Sequence, residues 1–384
     1  MRLDPLPLLG ELVAANSINP SLVDGAPGEA AAGEVCRRAM ERAGLEVTVQ
    51  AVRGDRSNVI GVLNGRSAGP AVMFCGHLDT VGVAGMTDPF VPRVEGGRLY
   101  GRGAQDMKGG VAAMIAAAGA LAPQWTRGRL VVAAVVDEEH ESIGAEALVR
   151  EWRADAAIIT EPTDLAVAIA HKGFAWFDIE TRGRAAHGSR PAEGRDAILR
   201  MGRVLGHLES LDRTLQAQPP HPLLGTSSLH ASLIDGGQEA SSYPERCRLQ
   251  IERRTLPGET GSAGLDEVRA ILERLRGEDS EFAADATLVF GRDAYEINPS
   301  HRLPEMLAHA AASVGCAPRR VGMSFWSDAA ILSAAGIPSV LFGPGGAGLH
   351  STEEYVKIEE VCVCRDALVA LAREFTQSSQ ATRR

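Results

Sequence analysis

The chain has 384 residues, of which 45% are apolar and 23% charged, a composition typical of a globular protein that is long enough for two domains. Its 49 acidic and 39 basic residues give a formal net charge of −10 with no long basic run, which argues against a nucleic-acid partner. The six cysteines form no C-x-x-C pair and lie mostly in apolar runs. They therefore indicate buried thiols in a reducing compartment, not a disulfide framework.

Two further features bear on location. The longest apolar stretch, residues 111–122, is too short and too rich in alanine to span a bilayer. The first five residues include an acid and a proline and contain no signal-peptide core. We therefore expect a cytoplasmic protein that has no membrane partner.

The first part of the chain alternates helical and strand patterns. Residues 28–44 place apolar side chains at helical spacing and end at Gly44, which predicts a helix, and a second helix is predicted after Gly109-Gly110 at 111–122. Alternating or continuous apolar runs predict five strands: 45–49, 58–63, 71–75, 130–136 and 156–160. The continuous runs are typical of strands that are covered on both faces, so the pattern predicts a three-layer α/β domain.

The pattern changes after residue 172. Strand, helix, strand, strand, helix and strand are predicted in turn at 175–181, 196–211, 228–234, 247–253, 265–276 and 287–290. This order is that of a ferredoxin-like α+β domain. The first pattern returns with helices at 301–314, 328–335 and 358–375 and a strand at 337–342. We therefore predict a domain formed by 1–172 and 292–384, with a second domain inserted at 173–291.

Histidine and carboxylate side chains follow several of the predicted strands. His77 and Asp79 come after the strand at 71–75, Glu138 and Glu139 follow 130–136, and Glu161 follows 156–160. Active sites of open α/β sheets lie at the carboxyl ends of the strands, so these side chains are expected to meet. In an extended segment Glu138 and Glu139 point in opposite directions, so one can bind a metal while the other acts as a base.

Two more candidate ligands lie in glycine-containing loops. Asp106 precedes a predicted helix, where an aspartate either caps the helix or bridges two metals. His350 follows a glycine-rich loop that lacks the Lys-Ser/Thr of a phosphate-binding loop. Taken singly, His77 could be a core histidine beside a surface aspartate, and Glu138 could belong to a solvated acidic loop. Taken together, these residues have the composition of a two-metal hydrolytic site.

Seven segments, in this order along the chain, resemble motifs of the M20 family of metallopeptidases and deacylases. That family includes acetylornithine deacetylase, succinyl-diaminopimelate desuccinylase, aminoacylase and glutamate carboxypeptidase. The matching segments are 76–81, 103–110, 137–139, 160–162, 171–173, 184–189 and 350–351. The resemblance implies a three-layer catalytic domain of the zinc-exopeptidase type, with the inserted ferredoxin-like domain acting as a dimerisation lid in a homodimer.

The resemblance also implies a role for each site residue. Two zinc ions, or cobalt in their place, would share Asp106 as a bridging ligand. His77 and Glu161 would hold one ion, and Glu139 and His350 the other. The remaining roles are orientation of His77 by Asp79, general base catalysis by Glu138, a contact from His187 of the partner subunit to the substrate carbonyl, and recognition of the substrate carboxylate by Arg254.

One position departs from the family pattern. The family often has an asparagine three residues before the proline that matches Pro244, and this chain has Ser241 there. A short hydroxyl replaces an amide with both a donor and an acceptor, so the resemblance says least about how the lid recognises the substrate.

The implied reaction is removal of an acyl group from an N-acyl amino acid such as N-acetylornithine, and acetyl is the favoured acyl group. The implied role is in amino-acid biosynthesis. Two alternatives within the family are desuccinylation of succinyl-diaminopimelate and cleavage of peptides by a dipeptidase or carboxypeptidase. A third alternative is a non-catalytic metal-binding scaffold, whose signature would be loss of the base or of metal ligands. None of these residues is missing from the chain.

Overall fold

A computed structural model describes residues 4–83 and 85–377 of the chain. The helices are α1 (Leu6–Ala14), α2 (Ala30–Arg42), α3 (Gly109–Leu121), α4 (Ile143–Glu151), α5 (Ala197–Gln216), α6 (Gly261–Glu278), α7 (Leu303–Ser313), α8 (Ala329–Ala334) and α9 (Ile358–Gln377). The first eight strands are β1 (Glu46–Arg53), β2 (Arg56–Asn64), β3 (Ser67–His77), β4 (Arg93–Glu95), β5 (Arg98–Tyr100), β6 (Arg127–Val135), β7 (Ala156–Ile159) and β8 (Val167–His171). The others are β9 (Gly173–Arg182), β10 (Ser228–Gly236), β11 (Arg246–Thr255), β12 (Ala283–Arg292), β13 (Tyr295–Glu296), β14 (Arg320–Met323), β15 (Ser339–Leu341), β16 (Gly346–Ala347) and β17 (Tyr355–Lys357).

The chain forms two compact units. The first contains Met1–Ile169, Ile297–Val321 and Ser327–Arg384, and the second contains Ala170–Glu296 and Gly322–Trp326. The sequence analysis did not assign Gly322–Trp326 to the inserted domain. The pattern of so short a segment does not show which unit it joins. All six cysteines are unpaired, and within the described ranges no helix has the length and apolarity needed to cross a membrane.

The first unit is built on a mixed sheet with the strand order β1-β2-β6-β3-β7-β15-β8. The central strands β6, β3, β7 and β15 are parallel, while β1, β2 and β8 pair antiparallel with their neighbours. The last six residues of β6 and all of β7 are buried, as expected for strands that are covered on both faces. Helices α1, α2, α3, α7 and α9 pack together as one group and α4 and α8 as another. The predicted α/β class is confirmed, and the structure shows that its central sheet is mixed.

Parallel pairing sets the position of the candidate ligands. β3 ends at His77, which lies opposite Val135 near the end of β6, and Cys75 of β3 lies opposite Ile159 at the end of β7. The loops that begin after these three strands therefore leave the sheet at one edge. This is the geometric reason why residues far apart in the sequence share a site.

A smaller antiparallel sheet, β16-β17-β5-β4, also belongs to the first unit. Tyr100 of β5 lies opposite Tyr355 of β17. The segment with Asp106, which follows β5, and the segment with His350, which precedes β17, are therefore anchored at one pair of strands. The sequence analysis predicted none of these four strands. Each has only two or three residues, and β4 is fully exposed, so no apolar pattern marks them.

The second unit has the predicted strand–helix–strand–strand–helix–strand order, and its sheet is antiparallel with the order β10-β11-β9-β12. That order is ferredoxin-like. Alternate residues of β9, among them Phe177 and Ile179, are buried against α5 and α6. Asp196 and Thr260 accept backbone N–H groups from the first turns of these helices, which fixes where each helix begins.

Candidate active site

His77 is the last residue of β3, and its side chain is 1% exposed. Its Nδ1 lies 3.0 Å from the backbone oxygen of Asp79, which can only accept a hydrogen bond. The ring proton is therefore on Nδ1 in the neutral form, which directs the lone pair of Nε2 toward Asp106 Oδ1, 3.1 Å away. An imidazole that donates from one nitrogen and presents the other to carboxylates has the arrangement of a metal ligand.

Asp106 lies between two imidazoles. Its Oδ1 faces His77 Nε2 at 3.1 Å, and its Oδ2 faces His350 Nε2 at 3.4 Å. Burial opposes ionisation of this carboxyl, but His350 and His77, when their rings are protonated, donate hydrogen bonds to it and hold its pKa well below its usual range. A carboxylate whose two oxygens face two different ligand-type side chains is suited to bridging two cations.

His350 and Glu139 form the more accessible side of the cluster. His350 Nε2 lies 3.1 Å from Glu139 Oε2, and 53% of the histidine side chain is exposed. Hydrogen bonds to Asp106 and Glu139 raise the pKa of His350 to about 10. Burial and the charge of Asp106 raise the pKa of Glu139 to about 7. The other carboxylate oxygen of Glu139 is buried and has no hydrogen-bond partner among the described residues.

Glu138 and Glu161 complete the buried side. Each offers an oxygen that, together with a ring nitrogen of His77, lies in a group whose atoms are all within 4.8 Å of one another. Burial and the charge of Glu161 raise the pKa of Glu138 well above its usual range. Burial likewise raises the pKa of Glu161, although His77 opposes the shift, and Asp328 adds negative charge near both glutamates. These carboxyls lie so close together that their ionised forms need cations nearby.

Asp79 contacts His77 through its main chain, while its carboxylate supports the loop that carries the glutamates. Asp79 Oδ1 accepts the backbone N–H of Glu138 and Oδ2 that of Glu139, both at 3.1 Å. Asn19 Nδ2 donates to Oδ2 at 2.8 Å, and Oδ1 lies 3.6 Å from His77 Nδ1. Asp79 therefore fixes the backbone direction at the point where the two glutamate side chains diverge.

A buried ion-pair chain supports the same loop from behind. Arg56 Nη1 donates to Asp137 Oδ1 at 2.6 Å, and the guanidinium also pairs with Glu29. Asn19 Nδ2 lies 3.0 Å from the same Asp137 oxygen. The sequence analysis missed Asn19, Arg56 and Glu29, because their partners are 27 to 118 residues away along the chain.

The donor set fits divalent cations. Imidazole nitrogens and carboxylate oxygens are ligands that zinc and cobalt accept. The buried oxygen of Glu139 that has no hydrogen-bond partner among the described residues independently indicates a cation site. So do the contacts of both Asp106 oxygens with different histidines. A further group, Asp137, His140 and Glu141, also has close ligand atoms. Its aspartate is already occupied by Arg56 and by backbone N–H groups, so this group is a poorer candidate.

The structure brings seven of the nine predicted site residues together in the first unit: His77, Asp79, Asp106, Glu138, Glu139, Glu161 and His350. The other two, His187 and Arg254, belong to the second unit. Arg254 lies on β11, where its Nε donates to Glu252 Oε1 at 2.5 Å and its guanidinium carbon lies 5.6 Å from the centre of the Phe174 ring.

His187 is exposed, and the backbone N–H of Ser189 donates to its Nδ1 at 3.2 Å. A backbone N–H can only donate, so the proton of the neutral ring is on Nε2. The next residue, Gly188, donates its N–H to the backbone oxygen of Ser241 at 2.7 Å. Ser241, the position that departs from the family pattern, therefore borders the loop that contains His187.

Comparison with known proteins identifies relatives along most of the chain. The model for "Peptidase family M20/M25/M40" matches residues 73–374. An acetylornithine deacetylase from Myxococcus xanthus is 32% identical over 333 residues, which cover 84% of each chain. An N-formyl-4-amino-5-aminomethyl-2-methylpyrimidine deformylase from Bacillus subtilis (strain 168) is 29% identical over 343 residues, which cover 79% of each chain.

Solved structures share the fold at low sequence identity. Aminopeptidase PepT from Bacillus cereus superposes with a TM-score of 0.79 at 20% identity, covering 97% of this chain and 98% of that one. The YXEP protein of Bacillus subtilis, described as a dinuclear metal-binding peptidase of the M20 family, has a TM-score of 0.75 at 16% identity, with 97% and 98% covered. The chain belongs to peptidase family M20/M25/M40, and it is a metal-dependent hydrolase of amide or peptide bonds.

Proposed function

We propose that this protein is a two-metal deacylase that removes an acyl group from an N-acyl amino acid. The proposed acyl group is acetyl, and the proposed substrate is N-acetylornithine or a similar compound. The observation that carries the proposal is Asp106, whose two carboxylate oxygens face His77 and His350 separately. The acetylornithine deacetylase relative, at 32% identity, supports the choice of acyl group and amino acid.

In this proposal His77 and Glu161 would hold one cation, Glu139 and His350 would hold the other, and Asp106 would be a ligand that both share. When bound, zinc or cobalt would supply a water molecule of lowered pKa and a Lewis acid for the acyl carbonyl. The nitrogen and oxygen donors of these five residues are consistent with either metal, so the donor set does not choose between them.

Glu138 is the proposed general base. Its Oε2 lies 4.0 Å from His77 Nε2, and the five other side chains would already supply ligands for both cations. It accepts a proton from the attacking water as the water oxygen bonds to the acyl carbon. It then gives that proton to the amide nitrogen as the carbon–nitrogen bond breaks, which releases a carboxylate and a free amine.

The second unit is proposed to act as a lid and to form a homodimer. His187 would donate from Nε2 to the acyl oxygen as negative charge develops there, and the partner subunit would supply this residue. The hydrogen bond from the Ser189 backbone supports this role because it leaves the ring proton on Nε2. The guanidinium of Arg254 would bind the substrate carboxylate. A cytoplasmic location and a role in amino-acid biosynthesis complete the proposal.

A substrate panel tests the proposed reaction. The purified protein is assayed for amine release from N-acetylornithine, succinyl-diaminopimelate, an N-formyl amine and a set of dipeptides, and its metal content is measured by elemental analysis. We expect the highest kcat/KM with N-acetylornithine and two divalent ions per chain. Activity confined to dipeptides would replace the deacylase by a peptidase, and a metal-binding protein without activity on any substrate would favour the scaffold alternative.

A further inference from the structure

Glu354 is a buried carboxylate that sequence reasoning did not single out. It lies four residues after His350, and its side chain is 1% exposed. Four N–H groups donate to it, two to each oxygen. Oε2 accepts from Arg102 Nη1 at 2.7 Å and Gly103 N at 2.9 Å, and Oε1 accepts from Gln105 N at 2.9 Å and Asp106 N at 3.1 Å.

The backbone explains why so many donors converge. Pairing of β5 with β17 brings the two segments together, and Gly101 N donates to the backbone oxygen of Glu354 at 3.1 Å. Gly103 has a φ of 77°, in the left-handed region, and a Cβ there would lie 2.6 Å from Thr80 Cγ2. Glycine at this position therefore allows the chain to turn around the carboxylate and direct successive N–H groups at it.

The same ion pair reaches the other cation-binding loop. Arg102 is 3% exposed, and its Nη2 donates to the backbone oxygen of Ser351 at 2.8 Å. Ser351 directly follows His350. The pair of Arg102 and Glu354 thus connects the backbone beside Asp106 with the backbone beside His350, and these are the two residues whose side chains face each other at 3.4 Å.

We propose that Glu354, acting with Arg102, is a positioning residue that sets the separation between the carboxylate of Asp106 and the imidazole of His350. The inference rests on the proposed two-cation site and adds a residue that controls the occupancy of its more exposed half. Glu354 acts only through backbone N–H groups and Arg102. Supports of this kind around metal ligands, when removed, typically change metal affinity or activity by about 10–100-fold.

The test compares Glu354→Gln with Glu353→Gln by titrating the metal-free protein with Co²⁺ and following its visible absorption. The amide introduced by Glu354→Gln would present its own N–H groups to backbone N–H groups, so we expect the second Co²⁺ to bind about 10–100-fold more weakly and kcat to fall, with KM little changed. Glu353 is exposed and adjacent, so its variant should match the wild type. Unchanged Co²⁺ affinity and kcat in a folded Glu354→Gln protein would overturn the inference.

Arg102→Lys gives a second route if Glu354→Gln does not fold. A lysine keeps the charge but loses the forked contact to Glu354 and Ser351 together, so it should weaken the second Co²⁺ site in the same direction. Wild-type behaviour of this variant would also overturn the inference. The wild-type titration separates the two proposals. If the wild type binds two Co²⁺ ions and neither variant shows the expected loss, only the role of Glu354 is contradicted. If the wild type binds no divalent cation, the proposed function is contradicted as well.

Discussion

The candidate catalytic residues of the two units differ in how firmly the chain holds them. In the first unit His77 is 1% exposed, Asp79 0% and Glu161 3%, and hydrogen bonds to neighbouring groups fix His77 and Asp79. In the second unit His187 is exposed, and its ring contacts Ser189, only two residues away along the chain. The first unit therefore has a site that is organised within one chain. The His187 ring of the second unit is held by a residue of its own loop, which fits the proposed action of His187 from a lid.

The largest expected effect concerns Glu138, the proposed general base of the site in the first unit. Glu138→Gln preserves the size of the side chain but removes its ability to accept a proton, so kcat should fall by about 10²–10⁴-fold while both cations remain bound. Steady-state kinetics and elemental analysis measure the two quantities. Glu151→Gln, at the exposed end of α4, is the matched control and should retain full activity. Near-normal turnover in Glu138→Gln would remove the base from the proposed mechanism.

The second prediction concerns His187, the exposed candidate catalytic residue of the second unit. If its Nε2–H stabilises the developing oxyanion, His187→Ala should lower kcat by about 10²–10³-fold, the usual loss for one such donor. Metal content and Tm should stay those of the wild type, since the side chain is exposed. His309→Ala, which removes an exposed histidine of the first unit, should leave kcat unchanged. Loss of bound metal in His187→Ala would contradict the role assigned here.

Asp79 tests whether the support of the loop matters for catalysis. Asp79→Asn turns one acceptor into an amide that faces the backbone N–H of Glu138 or Glu139, both of which Asp79 now accepts at 3.1 Å. We expect kcat to fall by about 10–100-fold, with a lower Tm because a buried N–H loses its acceptor. Kinetics and thermal unfolding are measured together.

Asn19→Ala is the companion variant for Asp79. It removes one donor to Asp79 and one to Asp137 but leaves the loop N–H groups paired, so its effect on kcat should be smaller. Wild-type kcat in Asp79→Asn, with only Tm reduced, would mean that the carboxylate stabilises the fold and does not position Glu138.

Periodicity in the sequence predicted the central elements well, for a physical reason. Strands such as β6 and β7 are buried on both faces, so their sequences are continuously apolar and the pattern is unambiguous. Helix α4 was not predicted. Its nine residues mix buried, half-buried and exposed positions, and only Ile143, Gly144, Ala145 and Leu148 are buried, which leaves too little apolar periodicity.

The candidate site was predictable to the extent that its residues follow strands or match family motifs. His77, Glu138 and Glu161 do both. Arg102 and Glu354, which support the backbone beside Asp106 and His350, are 252 positions apart and meet because β5 pairs with β17. Contacts that depend on the pairing of such short strands leave no local pattern in the sequence, so only the structure identifies them.

The smallest expected effect concerns Arg254, the half-buried arginine of the second unit that is proposed to bind the substrate carboxylate. A guanidinium can bind a carboxylate through two parallel N–H groups, whereas lysine offers a point charge. Arg254→Lys should therefore raise KM by about tenfold with a small change in kcat, a loss of roughly 1–2 kcal/mol of binding that suits one charged hydrogen bond. Arg248→Lys, on the same strand, is the control and should leave KM unchanged. If both variants raise KM equally, general positive charge attracts the substrate, and if neither does, its carboxylate is recognised elsewhere.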